Sequence, residues 1–166
     1  DRPLTVTSVE RKAKRIPPPQ LYDLSSLQQD MNSWFGYTAD QTLQLAQELY
    51  EAKVLTYPRT DSRHIGKEEA AGLPALLRSL PEGYQEFVAD LDLDRLRPGK
   101  RVVDDAKVTD HHAILPTPGD PGALRGPKEK VYAAVVRRLL AALYPPCIQQ
   151  ITTVKAQVEE EPFQAR

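Results

Sequence analysis

Tyr57-Pro58-Arg59 sets a phenol and a guanidinium two residues apart with a proline between them. Proline fixes its own φ and disfavours helical backbone at the residue before it, so Tyr57 is expected in an extended segment. In extended backbone, residues i and i+2 point the same way, which turns the Tyr57 hydroxyl and the Arg59 guanidinium toward one space. Tyrosine can act as a covalent nucleophile, and arginine is the side chain best shaped to grip phosphate through two parallel charge-assisted hydrogen bonds. The pair suits phosphoryl transfer to Tyr57. A structural reading competes with this one, because a tyrosine after the apolar pair Val54 and Leu55 also fits a half-buried core ring with its hydroxyl at the surface. Spacing alone does not separate the two.

Two other groups of residues carry potential chemistry. Asp90, Asp92 and Asp94 alternate, and in a strand they would share one face able to take a divalent cation. An EF-hand loop would need glycine at the sixth position, where Arg95 stands, and the run follows a helical pattern, so a solvated helix end is the better reading. His111 and His112 are adjacent, and extended backbone would point them apart, which makes chelation of one metal by both difficult. On their own they read as loop histidines.

Resemblance changes the weighting. Leu55-Thr56-Tyr57-Pro58-Arg59-Thr60-Asp61-Ser62-Arg63 resembles the active-site tyrosine segment of type IA DNA topoisomerases. Asp110-His111-His112-Ala113-Ile114-Leu115-Pro116-Thr117 resembles a second block of the same family, in the same order. Pro18-Pro19-Gln20-Leu21-Tyr22-Asp23-Leu24, with Gln41-Thr42-Leu43 through Leu49-Tyr50-Glu51, resembles the topoisomerase III branch. The likeness is good over residues 16 to 117 and looser at the ends.

The resemblance implies that Tyr57 attacks a phosphodiester of single-stranded DNA and becomes joined to the 5′ phosphate, with another strand passing through the gap. Resealing by the 3′ hydroxyl would need no ATP, since the phosphotyrosyl ester preserves the bond energy. A free phenol is almost wholly protonated at pH 7, so such attack needs charge stabilisation. The resemblance casts Arg59 and His111 as catalytic partners of Tyr57, and Thr60, Ser62 and Arg63 as DNA-contacting residues. His111 would hydrogen-bond a phosphate oxygen or move a proton near neutral pH. The family's Mg²⁺ is expected on an acidic cluster and a catalytic lysine's domain outside this chain, with no metal site here. The implied fold is a helical nucleophile-bearing domain of winged-helix, catabolite-activator-like character, hung from strands of a β-rich gate domain.

The rest of the sequence is compatible with that picture. The chain has 166 residues, enough for one domain with pieces of a neighbour. Hydrophobic residues make up 40% and charged residues 27%, ordinary for a globular domain, and no apolar run reaches membrane-spanning length. The first residue is Asp1 and no signal peptide is visible, so a segment of a larger cytoplasmic protein is expected, nucleoid-associated if its source is bacterial. The single cysteine, Cys147, excludes an internal disulfide and reads as a small buried hydrophobe. A net charge of −1 does not announce a nucleic-acid binder. Basic clusters at Arg11-Lys12-Lys14-Arg15 and Arg95-Arg97-Lys100-Arg101 can track phosphates, although a solvated surface explains them nearly as well. A non-enzymatic nucleic-acid-binding module, and a helical interaction domain, are the alternative classes.

Patterning gives an α+β, mainly helical chain with strands at its ends. Leu4 to Val9 reads as a strand, and Pro17-Pro18-Pro19 as a linker. Ser25 with Gln28 signals a helix start, Gly36 its stop, and Leu27, Met31, Trp34 and Phe35 are expected on its core face. Thr38 with Gln41 starts a second helix, carrying Leu43, Ala46, Leu49 and Tyr50 and ending near Lys53. Together they resemble a helix-turn-helix. A short helix from Lys67 is expected to break at Pro74, with further short helices over Leu76 to Leu80 and Tyr84 to Leu91. Residues 94 to 126 read as loops. Pro127 opens the clearest helix, with Val131, Val135, Val136, Leu139, Leu140 and Leu143 on one face. Alternation over Thr152 to Val158 closes the chain with a strand. The expected division is residues 1–16 as gate-domain strand, 17–146 as the helical domain and 147–166 as return strand.

Overall fold

A computed structural model describes residues 2–119 and 121–166. The chain is α+β and divides into two compact units: Asp1–Pro18 with Pro145–Arg166, and Pro19–Tyr144. The first is a three-stranded antiparallel sheet in the order β1-β2-β3, with β1 at Thr5–Ile16, β2 at Cys147–Val158 and β3 at Glu161–Ala165. β1 pairs Ile16 with Cys147 at one end and Thr5 with Gln157 at the other, with an irregularity between Val6 and Ser8.

β1 runs seven residues past the strand expected from Leu4 to Val9, through the basic run. Ladder pairing with β2 outweighs the weak strand propensity of Lys and Arg. Charges on an edge strand also oppose pairing with a further chain. Cys147 is exposed at the head of β2, not buried as its residue type suggested.

The central unit is built on five α-helices among the described residues, the first four being α1 (Leu24–Phe35), α2 (Ala39–Glu51), α3 (Lys67–Arg78) and α4 (Gln85–Ala89). The fifth, α5 (Pro127–Leu143), buries Val131, Val135, Val136, Leu139 and Leu140 against α1 and α2. Pro127 occupies its first turn, where a missing N–H costs nothing. α2 carries the full capping box: Gln41 N–H donates to Thr38 Oγ1 (3.1 Å) and Thr38 N–H to Gln41 Oε1 (2.9 Å). Gly36 ends α1 at φ 70°, the left-handed conformation that glycine adopts without strain.

Three local expectations are corrected. The cap of α1 is Asp23, whose Oδ1 accepts the Ser26 N–H at 2.7 Å, rather than Ser25. Trp34 and Phe35 lie on the surface, 54% and 40% exposed, while Leu27 and Met31 alone on that stripe are fully buried. α3 continues through Pro74, since burial of Leu73, Leu76 and Leu77 outweighs the one amide bond that proline removes.

The segment between α4 and α5 is held by short 3₁₀ turns at Leu93–Arg95 and Asp105–Lys107 and by isolated bridges. A half-buried polar knot also ties α1 to α5: Tyr22 Oη donates to Asp30 Oδ2 at 2.5 Å, and Arg138 binds the same carboxylate and the Tyr22 oxygen. Burial and the Asp30 hydrogen bond push the Tyr22 hydroxyl's pKa well up, so it remains a donor.

Candidate active site

The segment after α2 leaves the helix at Lys53, φ 59°, and Leu55 forms an isolated antiparallel bridge with Pro116. Val54 and Leu55 drop into the core, which brings Tyr57 to the surface with its ring half-buried. Residues 113 to 117 brace this segment. Thr56 N–H donates to Leu115 O (2.9 Å), Leu115 N–H returns to Thr56 Oγ1 (2.9 Å), and Thr117 N–H donates to Val54 O (3.0 Å). The same brace reaches sideways, with Ala113 N–H to His64 O (2.9 Å) and Ile114 N–H to Tyr22 O (2.8 Å). Three stretches far apart in sequence are thus locked together by main-chain bonds, each of which excludes a sliding register.

That brace delivers His111. Its ring centroid lies 4.4 Å from that of Tyr57, tilted by 46°. Tyr50, from the last turn of α2, also meets the Tyr57 ring, edge-on at 5.3 Å. Arg59 is exposed and lines, with His111, Asp23, Asp61 and Asp110, an open cavity of about 440 Å³. His111 therefore touches the Tyr57 ring and also borders the cavity that holds Arg59. His112 is turned aside, its Nδ1 donating to Ala113 O at 2.7 Å.

Thr60 and Ser62 are buried, 7% and 4% exposed, and their hydroxyls are committed within the protein. Thr60 Oγ1 donates to His111 O (3.0 Å) and accepts the Ser62 N–H (3.1 Å), while Ser62 Oγ donates to Lys107 O (2.8 Å). Arg63 Nε donates to Asp23 Oδ2 at 2.9 Å, and Leu24 N–H donates to Thr60 O at 3.0 Å, so the N-terminus of α1 is pinned to the loop after Tyr57. Burial pushes the Asp23 carboxyl up, but the Ser26 hydroxyl and amide and the Arg63 guanidinium hold it below the usual carboxylate range.

Sequence reading did not single out Tyr50, Asp23 or His64 for this site. The Leu49-Tyr50 pair at the end of an amphipathic helix was the available signal for Tyr50, which instead sits 40% exposed against Tyr57. His64 is buried beside Gln20, and burial followed by the nearby Lys107 charge lowers its pKa.

Among the described residues no group of three or more His, Cys, Asp or Glu side chains is placed to hold a metal ion. The aspartates of the 90–94 run take separate partners: Asp90 accepts from Tyr144 Oη, Asp92 caps Arg95, and Asp94 pairs with Arg78. The 90–94 run therefore does not gather its carboxylates into one cation site. No helix among the described residues is long and apolar enough to cross a membrane.

Comparisons with known proteins bear on the family and the fold. A family model described as DNA topoisomerase matches residues 1–166. The chain is 43% identical over 166 residues to DNA topoisomerase 3 of Bacillus cereus, covering 98% of this chain and 23% of that protein. It is 40% identical over 168 residues to DNA topoisomerase 3 of Shouchella clausii, with the same coverages. The fold is similar to full-length topoisomerase I from Thermotoga maritima, with a TM-score of 0.71 at 22% identity, over 98% of this chain and 27% of that one. The chain thus spans about a quarter of the length of these relatives. With matched family, shared fold and the Tyr57 segment in place, this chain belongs to the DNA topoisomerase family, as a topoisomerase III-like segment of the type IA group.

Proposed function

We propose that this segment is the nucleophile-bearing part of an enzyme that cleaves and reseals one DNA strand through Tyr57. The observation that carries the reading is the placement of a half-buried tyrosine on a braced segment, with His111 against its ring and Arg59 in the cavity that His111 borders. In the forward step the Tyr57 oxygen attacks phosphorus, a phosphotyrosyl ester forms to the 5′ phosphate, and the bond to the 3′ oxygen breaks. The phenol loses its proton and the 3′ oxygen gains one. The reverse attack by the 3′ hydroxyl regenerates the phosphodiester and the phenol, so the cycle is isoenergetic in bonds and needs no ATP.

Arg59 is exposed and carries no ion pair among the described residues, which leaves its fork available for a phosphate. His111 supplies a hydrogen bond to the transferring phosphoryl group or a proton near neutral pH. Thr60 and Ser62, buried and hydrogen-bonded within the protein, act through the loops they lock, while Arg63, its side chain 40% exposed and bonded to Asp23 through Nε, is the one of the three left to contact DNA. The Mg²⁺ expected of the family is assigned to a part of the parent enzyme outside this chain.

The helix pair α1 and α2, joined across Gly36 to Thr38, is read as the helix-turn-helix half of a winged-helix-like unit, and the sheet as gate-domain strand. Single-stranded DNA is the substrate, and the cytoplasm, or the nucleoid of a bacterium, the compartment. The test is trapping of a labelled single-stranded oligonucleotide on Tyr57 in the full-length parent, with Tyr57→Phe as control.

A further inference from the structure

The outer face of α5 carries aromatic rings and cations that neither the core nor the Tyr57 cavity uses. Trp34 and Phe35, at the end of α1, are 54% and 40% exposed. With Lys130, Ala133, Ala134 and Arg137 of α5 they line an open groove of about 670 Å³. Lys130 Nζ stands 4.6 Å from the centre of the Phe35 ring. Arg137 is shared with a second, adjoining hollow of about 380 Å³, bordered by Tyr84, Phe87 and Tyr144. Lys130, Arg137 and Ala141 fall at spacings of seven and four residues, so one stripe of the helix runs along both hollows. From Lys130 to Ala141 that stripe extends about 16 Å. Neither groove shares a lining residue with the cavity of Arg59 and His111.

Exposed aromatics clustered beside cations that lack a carboxylate partner mark a candidate binding surface. Among the described residues neither Lys130 nor Arg137 has a carboxylate within ion-pair distance, and the groove lining contains two cations against one carboxylate, Glu129. The complementary ligand is therefore anionic and presents flat π faces. A partner protein helix would satisfy the apolar surface and would meet Lys130 and Arg137 only if it carried carboxylates at matching positions, whereas every nucleotide of a nucleic acid brings a phosphate. Single-stranded nucleic acid satisfies both, with bases stacking on Trp34 and phosphates meeting the two cations.

We infer that the Trp34, Phe35, Lys130 and Arg137 face of α5 is a second binding track for single-stranded nucleic acid, separate from the Tyr57 site. The choice of occupant rests on the DNA-handling function proposed above.

Trp34 is the only tryptophan of the chain, so its emission reports this face alone. Titration of the 166-residue chain with an unstructured oligothymidylate should quench Trp34 fluorescence in a salt-sensitive manner. Trp34→Ala should weaken oligonucleotide binding, read by anisotropy of a labelled strand, about 5- to 150-fold, and Trp34→Phe should restore most of it. Replacing both Lys130 and Arg137 by Ala should flatten the salt dependence by about 1.4 in log–log slope. These positions are exposed, and circular dichroism verifies that each variant folds.

Anisotropy that rises with unchanged Trp34 emission, and with equal affinity in Trp34→Ala, overturns the inference while leaving the Tyr57 reading intact. No binding and no emission change at low salt also overturns it. Emission that responds to the apolar dye anilinonaphthalene sulfonate but not to oligothymidylate marks a protein-docking surface instead, and the inference fails. Failure of the Tyr57 reading is seen separately, as an adduct that survives Tyr57→Phe in the full-length parent.

Discussion

The Thr60 hydroxyl donates to the main-chain carbonyl of His111 across 3.0 Å, and the same oxygen accepts the Ser62 amide. One buried side chain thus joins the loop after Tyr57 to the loop that presents the His111 ring. The bond closes a separation of 51 residues, so neither loop can shift without breaking it. A buried hydrogen bond left half-made costs about 1–3 kcal/mol. Thr60→Val, which keeps the shape and removes the hydroxyl, should lower stability by that amount. It should also lower kcat of the parent enzyme more than it raises KM, because His111 loses its position and the substrate keeps its other contacts. Thr60→Ser should restore both. Thermal melting and steady-state relaxation kinetics check this, and an unchanged kcat in a destabilised Thr60→Val would limit Thr60 to stability.

Arg59→Ala should cost more activity than Arg59→Lys, and both more than His112→Ala. The guanidinium binds phosphate through two parallel bonds, so lysine keeps charge and loses geometry. His112 spends its Nδ1 on Ala113 O and is not among the residues that line the cavity. Cleavage assays on the three variants give the order. A His112→Ala defect as large as that of Arg59→Ala would transfer the histidine role from His111 to His112.

Acid should weaken the fold in two steps. His64 has a lowered pKa, so the unfolded chain binds its proton first; the contribution of neutral, buried His64 is full above the reference value of 6.5 and declines as pH falls through the lower folded value. Asp23 has a lowered pKa for the opposite chemical reason, ionised and bonded to Ser26 and Arg63; its contribution is full above the reference value of 3.8 and is lost below it as the carboxylate protonates. Melting temperatures measured from pH 8 to pH 3 should therefore fall twice. His64→Gln should remove the first decline and Asp23→Asn should shrink the second, to which Asp105 and Glu10 also contribute, with Asp23→Ala costing about 0.5–2 kcal/mol at neutral pH as a lost helix cap.

Arg138 binds Asp30 and Tyr22 together, and its guanidinium lies 4.1 Å above the Tyr22 ring. Tyr22→Phe should be mild, about 1 kcal/mol, because Asp30 keeps Arg138. Arg138→Ala should be several times worse, since it strands a partly buried carboxylate and removes the stacked stem. Chemical denaturation of the two variants compares them directly. Equal losses would show that the Tyr22 hydroxyl, not the ion pair, holds α1 to α5.

The parts of this structure that sequence makes legible are those governed by neighbours along the chain. Thr38 and Gln41 cap α2 as their spacing requires, Gly36 takes the left-handed turn after α1, and Pro127 opens α5 with its valines and leucines inward. Pro58 sets the expectation of extended backbone at Tyr57, and the bonds from Leu115 and Thr117 hold the residues just before it, Thr56 and Val54. Where tertiary packing decides, local rules fail. Pro74 is carried inside α3 because leucines on both sides of it are buried, and Trp34 and Phe35 leave the core because Leu27 and Met31 already fill it. The neighbours of Tyr57 follow the same division. His111 lies 54 positions away, and its approach depends on long-range main-chain bonds without a periodic pattern; the resemblance of its block, and not its spacing, is what brought it into view. The burial of Thr60 and Ser62 likewise came from contacts with Lys107 and His111 that no local pattern announces.

The central claim is that the Tyr57 oxygen becomes bonded to DNA. It is tested most directly by incubating the full-length parent enzyme with a 5′- and 3′-differentially labelled single-stranded oligonucleotide and Mg²⁺, stopping with denaturant, and mapping the modified peptide by mass spectrometry. The account predicts an adduct on Tyr57 that carries only the 3′ label, because the tyrosine holds the 5′ phosphate of the downstream piece, and none in Tyr57→Phe, with that variant folded and binding DNA normally. An adduct on another residue, or one that persists in Tyr57→Phe, would contradict it.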